Sequence, residues 1–212
     1  APVPVAVPLV VKDPLCHLLQ GQKIQANIKS VINGTQAQEI SGDLLFTKYG
    51  LSGTAILDVS ESVSVAFNRT HIKNIELHID MVPFMEEKTL ARELARRLGD
   101  KCSPEELTIG ILPNKFGRAL KGLLGSNDPV VIAKSLKNRV FKVLETRGWN
   151  EAEFTAGGVN VSEVNCATLE SRLRKGLYLS GEILDVNGAR GGFNLAWAWA
   201  AGLIAGESAA HA

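Results

Sequence analysis

The chain has 212 residues, of which 45% are apolar and 21% charged, with 23 basic against 22 acidic side chains for a net charge of +1. That length exceeds one average domain and falls short of two, and it suffices to bury a core without disulfides or metal. The charge balance excludes a histone-like or polybasic-tail protein, and 3 cysteines with 20 glycines exclude a disulfide scaffold, a zinc cluster and a long disordered tail.

The chain opens at Ala1 rather than at a methionine, which points to processing or to a piece of a longer protein. Ala1 to Val11 is apolar but interrupted by Pro2, Pro4 and Pro8, so it is no signal sequence. Residues 1–81 read as mostly strand. Ile24, Ala26, Ile28 and Ile32 alternate with Lys23, Gln25, Asn27 and Lys29, the period of a half-buried strand. Asn33-Gly34 then tolerates the positive φ of a tight turn, so a hairpin returning through Ile40 to Phe46 is expected. Ile56, Val59, Val63 and Phe67 fit helical spacing, although Val63, Val65 and Phe67 also fit a strand; the helix is preferred. Ile75, Leu77, Ile79 and Met81 alternate again.

From Pro83 the character turns helical. Leu90, Leu94 and Leu98 share one face, Glu93 and Arg97 form an i,i+4 pair, and Gly99 marks the stop. Ser103-Pro104-Glu105-Glu106 has the form of a capping box. Phe116, Leu120, Leu123 and Leu124 predict a short helix ending near Gly125. Asp128-Pro129 caps a longer one expected to run through Leu136, Val140, Val143 and Leu144 to Gly148. After Trp149 the pattern reverts to short strands, one at Ala152–Phe154 and one at Leu177–Leu179. The last stretch, Gly191 to Gly206, carries no charge; it is too short for a membrane-spanning helix and reads as a fully buried one.

Little of the usual catalytic vocabulary occurs. Cys16, Cys102 and Cys166 are scattered, as free thiols in a reducing cytosol would be, and His17, His71, His78 and His211 lack metal-ligand spacing. His78 falls on the polar side of its strand and reads as solvent-facing. No two glycines lie two positions apart, so G-x-G-x-x-G is absent. Gly50-Leu51-Ser52-Gly53 reads as a turn. Between Lys115 and Arg147 there are eight basic and two acidic residues, a run read as a solvated helix face ahead of a phosphate-binding one.

The carboxyl end is more informative. Gly181-Glu182 follows the expected strand at Leu177–Leu179, and an acidic group at a strand's carboxyl end suits a ligand's hydroxyls. Gly191-Gly192-Phe193-Asn194 then opens the uncharged helix, where glycines expose backbone N–H groups and the helix dipole favours negative charge. Packing alone would also explain these glycines.

The segment from Thr155 to Gly206 (TAGGVNVSEVNCATLESRLRKGLYLSGEILDVNGARGGFNLAWAWAAGLIAG) closely resembles the carboxyl end of the BaiN-like family of NAD(P)/FAD-dependent flavoprotein oxidoreductases, of the glutathione-reductase type. Val7-Pro8-Leu9 and residues 42–57 resemble that family's β-rich inserted domain. The resemblance implies an α+β chain in three parts: a β-rich, barrel-like insert domain over 1–81, a small helical insert domain over 82–148, and the carboxyl-terminal strand–helix segment of an FAD-binding α/β domain over 149–212. It implies that Gly181 and Glu182 hold the ribityl chain of FAD. Gly191, Gly192, Phe193 and Asn194 would lie at the isoalloxazine, and Gly157, Gly158 and Val159 would form a backbone turn near the ring. Cys166 and Arg190 depart from the family pattern, which usually has proline and a smaller residue there. The amino-terminal part of the family, with its G-x-G-x-x-G, has no counterpart here. The expectation is therefore part of a cytoplasmic flavoprotein, acting on an unidentified small molecule, that binds FAD poorly without its amino-terminal partner region. A stand-alone interaction module descended from such an enzyme and a basic nucleic-acid binder remain as alternatives, with nucleic acid the less favoured partner and no membrane association expected.

Overall fold

The computed structural model describes residues 1–120 and 128–212. Two compact units emerge, one formed by Ala6–Glu151 and the other by Ala1–Val5 together with Ala152–Ala212. The boundary expected at residues 81 and 82 falls inside the first of them.

In that unit β2 (Leu9–Val11), β3 (Lys23–Ile32), β4 (Thr35–Thr47), β5 (Gly50–Ser52), β6 (Ile75–Asp80) and β7 (Arg139–Thr146) form a closed barrel in the order β2-β5-β4-β3-β6-β7, with every neighbouring pair antiparallel. The β3–β4 hairpin turns at Asn33-Gly34, whose φ values of 50° and 80° are those the turn chemistry demands. Ile24, Ala26 and Ile28 of β3, Leu44 and Phe46 of β4, Ile75, Leu77 and Ile79 of β6, and Phe141 and Val143 of β7 are all buried. Burying a large apolar side chain stabilises by roughly 1.5–3 kcal/mol, so the period-two pattern supplies the drive for closure. Gly50 to Ser52, expected as part of a turn, is strand β5 instead. A Cβ on Gly50 would stand 2.3 Å from the Leu9 carbonyl oxygen, so only glycine lets β5 lie against β2.

Helices pack around the barrel, among them the short α1 (Pro14–Leu18) and α4, which includes Lys115–Leu120. In α2 (Thr54–Ser64) Ile56, Val59 and Val63 are buried at helical spacing, and the helix widens into a π-turn over Val65–Arg69, which settles the strand-or-helix ambiguity there. In α3 (Glu87–Gly99) Leu90 and Leu94 are buried and Arg97 pairs with Glu93 at 2.7 Å. Ser103 donates to the Glu106 carboxylate through its N–H at 2.9 Å, one of the two bonds of a capping box, but its hydroxyl donates to the same carboxylate at 2.7 Å while the Glu106 N–H goes to the Ser103 carbonyl, and a turn follows rather than a helix. The next helix includes Lys115–Leu120, with Phe116 edge-on to Phe46; Leu123, Leu124 and Gly125 lie outside the described residues.

Asp128 caps α5 (Pro129–Lys137) by accepting the Val130 N–H at 2.8 Å. The expected continuation to Gly148 is wrong: the helix stops at Lys137, and β7 joins β6 to β2. Val140 and Leu144 are exposed while Phe141 and Val143 are buried, so β-strand alternation replaces the apparent helical spacing. His78, expected to face solvent, is half-buried between Asn138 and Glu76, each at 3.2 Å. Five cations of the basic run have partners within this unit among the described residues: Lys115 the Gln20 carbonyl, Arg118 Glu105, Lys137 Asp80, Arg139 Asp13 and Arg147 Glu151.

In the second unit β1 (Val3–Val5) pairs antiparallel with β8 (Phe154–Ala156). The strand expected at Leu177–Leu179 does not form; Tyr178 makes one isolated bridge to Glu170, and Gly181–Ile183 is a single 3-10 turn. The uncharged stretch forms helix α6 (Phe193–Ala210), but it is not buried: only Ala201 and Ala205 are, while Leu195, Trp199 and Leu203 are 62%, 71% and 75% exposed. Among the described residues no helix is long and apolar enough to cross a membrane.

Candidate functional site

The candidate site lies wholly in the second unit, where three segments converge. The first is the turn after β8. Val159 N–H donates to the Ile183 carbonyl at 2.8 Å, Asp185 N–H returns to the Val159 carbonyl at 2.9 Å, and Gly157 N–H donates to Asp185 Oδ1 at 2.8 Å. A Cβ on Gly158 would stand 2.4 Å from the Ile183 oxygen, so the glycine is required for this close approach.

The second segment is the 3-10 turn at Gly181. Trp197 Nε1 donates to the Gly181 carbonyl at 3.2 Å, and Glu182 Oε1 accepts the Thr155 N–H at 2.5 Å. Glu182 thus sits in the middle of a 3-10 turn, not at the end of a strand, and one of its oxygens ties it to β8. The third is the loop into α6. Asn194 Oδ1 accepts the Gly188 N–H at 2.8 Å and its Nδ2 donates to the Gly188 carbonyl at 3.0 Å. Gly191 and Gly192 have φ of 109° and 100°, and a Cβ on either would meet nothing within 4 Å, so bare backbone borders open space. Arg190 Nε and Nη2 donate to the two carboxylate oxygens of Glu153 at 2.9 and 3.3 Å.

The second and third segments border an open cavity of about 390 Å³ lined by Glu182, Gly191, Gly192 and Asn194, with Glu153, Arg190 and Trp197 completing much of its wall. Of the residues singled out in the sequence, Gly157, Gly158, Val159, Gly181 and Phe193 do not line it. The first four shape the turns behind it, and Phe193 is largely exposed at the start of α6. Three residues escaped sequence reasoning: Glu153, Asp185 and Trp197. Asp185, three residues ahead of Gly188, carries a faint turn signal. Nothing in the sequence links Glu153 to Arg190 across 37 positions. Among the described residues, no three His, Cys, Asp or Glu side chains are grouped to hold a metal ion.

Residues 25–208 match the protein family described as HI0933-like protein Rossmann domain. The chain is 32% identical over 223 aligned positions to 3-dehydro-bile acid delta(4,6)-reductase of Clostridium scindens, an alignment covering 99% of this chain and 54% of that protein. It is 32% identical over 210 positions to the ribosomal RNA dihydrouridine synthase of Escherichia coli, covering 91% of this chain and 48% of the relative. The Haemophilus influenzae synthase of the same description is also 32% identical, over 163 positions. The chain spans about half the length of the first two relatives.

Proposed function

Because this chain belongs to the HI0933-like family, whose BaiN-like members are flavoprotein oxidoreductases, we propose that it is the carboxyl-terminal part of an FAD-dependent reductase. In this reading the unit Ala6–Glu151 serves the substrate side. The cavity at Gly191-Gly192 takes the isoalloxazine and ribityl part of FAD, and an amino-terminal region carrying G-x-G-x-x-G binds the ADP half.

One observation carries the proposal. Helix α6 leaves Leu195, Trp199 and Leu203 in water beside the candidate cavity, although the helix has no charge between Phe193 and Gly206. Contiguous apolar surface of this kind marks an interface, and burying each such side chain is worth roughly 1.5–3 kcal/mol. The occupant proposed is the amino-terminal region of the same flavoprotein. A stand-alone interaction module would use the same face for another subunit, without FAD.

The cavity fits the flavin's ring end rather than a whole dinucleotide: its volume is at the lower end of small-ligand pockets. The open space over Gly191 and Gly192 suits close approach of a flat ring to backbone N–H groups at the start of α6, where the dipole favours an electron-rich edge. Glu182 keeps one carboxylate oxygen for a ribityl hydroxyl while the other holds Thr155. Trp197 fixes the Gly181 turn, and Asn194 fixes the loop before the glycines. When bound, FAD supplies hydride transfer, with NAD(P)H as the proposed electron source.

The substrate class follows from a shared chemistry. The names of the relatives, a 3-dehydro-bile acid delta(4,6)-reductase and a dihydrouridine synthase, describe reductions of carbon–carbon double bonds, which in a 3-oxo-4,6-diene and in a uracil ring are conjugated with a carbonyl. An enone or comparable conjugated alkene is the substrate proposed here. The purified full-length gene product should show visible flavin absorbance and, once reduced, be reoxidised by a conjugated enone. A colourless protein that also takes up no added FAD sinks the proposal.

A further inference from the structure

Arg190 is the one cation among the described residues lining the cavity, and Glu153 and Glu182 both present carboxylates to it. With all three ionised, the side chains of the wall carry one net negative charge, set against the positive end of the α6 dipole. Arg190 is held in a two-pronged contact by Glu153, at 2.9 and 3.3 Å. The two partners differ in burial: the Arg190 side chain is 24% exposed and that of Glu153 47%. A guanidinium fork accepts any planar pair of acceptors in place of a carboxylate, and a half-exposed carboxylate returns to water readily. A ligand offering such an edge can therefore displace Glu153 without leaving Arg190 unmatched.

We infer that Glu153 and Arg190 form an exchangeable counter-ion pair that sets how strongly this cavity favours the negatively charged over the neutral state of its ligand. The inference rests on the flavin reading above, which supplies a ligand with two such states. Reduction by two electrons, delivered in the measurement by dithionite, and one proton taken from solvent leaves the flavin ring with one more negative charge than the oxidised form. Arg190 is accordingly a positioning residue, and Glu153 its modulator.

The test is the midpoint potential of FAD bound to the full-length flavoprotein. Glu153→Gln removes one negative charge beside Arg190 and should strengthen the preference for reduced over oxidised flavin about five- to tenfold, an upward shift of about 20–30 mV for a two-electron couple. Arg190→Gln should shift the potential downward by a similar amount, with Arg190→Lys in between. Loss of packing alone does not move the potential in opposite directions in the two variants. Flavin bound with unmoved potentials in both variants overturns the counter-ion role and leaves the flavin reading standing. A full-length protein that binds no flavin overturns both.

Discussion

Asn194 and Gly188 close a ring of two hydrogen bonds, the Asn194 amide oxygen accepting the Gly188 N–H at 2.8 Å and its amide nitrogen donating to the Gly188 carbonyl at 3.0 Å. A residue that reads in the sequence as a ligand contact thus clamps the loop that presents Gly191 and Gly192. Its carboxamide satisfies one backbone donor and one acceptor that would otherwise need water.

Asn194→Ala should therefore lower stability by about 1–3 kcal/mol, since both Gly188 groups lose a partner in a partly buried place. Asn194→Asp keeps the acceptor but sets a carboxylate against the Gly188 carbonyl, and should restore little. Urea unfolding measures the cost, and faster amide exchange at Gly188 locates it. Unchanged exchange there would show that the clamp does not hold the loop.

Lys137 joins three pieces of the barrel-bearing unit. Its ammonium donates to the carbonyls of Val82 and Met85 at 2.9 and 2.7 Å and pairs with Asp80 at 2.6 Å. Both side chains of the pair are less than one-fifth exposed. Lys137→Met strands Asp80 and two carbonyls, so a loss of about 3 kcal/mol and a fall in Tm of roughly 6–12 °C are expected. Thermal and urea denaturation of the variant provide the check, and a change under about 1 kcal/mol would assign the contact to the ordinary surface class.

Two glycines of the second unit should respond to different extents to alanine. At Gly158 the new methyl meets the Ile183 oxygen at 2.4 Å, and a loss of about 3–5 kcal/mol follows from displaced backbone. At Gly192 the methyl meets nothing within 4 Å, so only the φ of 100° is penalised, by about 1–2 kcal/mol. In the full-length flavoprotein proposed above the order should reverse for affinity: Gly192→Ala should weaken FAD more than its stability loss explains, because the methyl enters the space proposed for the ring. Equilibrium dialysis with FAD, compared with melting curves, separates the two effects.

Cys16 is buried beside Asp13, and burial first, then the Asp13 charge, pushes its thiol up to about 12. The folded state therefore holds this proton between pH 9 and 12 while the unfolded chain loses it. Stability from this group is fully present below about pH 9 and falls as pH rises toward 12. A thiol reagent at pH 8 should modify exposed Cys166 in the native protein and reach Cys16 only after unfolding. Mass mapping of the labelled peptides decides the matter. Cys16→Ser should flatten the alkaline limb of the stability profile.

What the sequence made legible tracks how local the cause is. The Asn33-Gly34 hairpin, the buried Ile56–Val59–Val63 face and the Leu90–Leu94 stripe follow from residues within a few positions of each other. Strand β7 was misread because its partners β6 and β2 lie far away in sequence, and Val140 and Leu144 mimic a helical face while pointing out of the barrel. In the site, the glycines were visible because positive φ leaves a compositional trace. The Glu153–Arg190 pair was not, since two surface charges 37 positions apart leave none. Helix α6 looked buried because apolarity reports a wish for cover without saying which surface provides it.

The pairing of β1 with β8 has one more consequence. Val5 stands opposite Phe154, so the chain leaves the second unit and re-enters it on adjacent strands, about 5 Å apart at the backbone. Everything from Ala6 to Glu151 hangs from that doorway. It can be lengthened, exchanged or removed and bridged by a short turn without re-registering either strand. The segment around Gly191 and the unit Ala6–Glu151 are thereby free to change in sequence independently of each other.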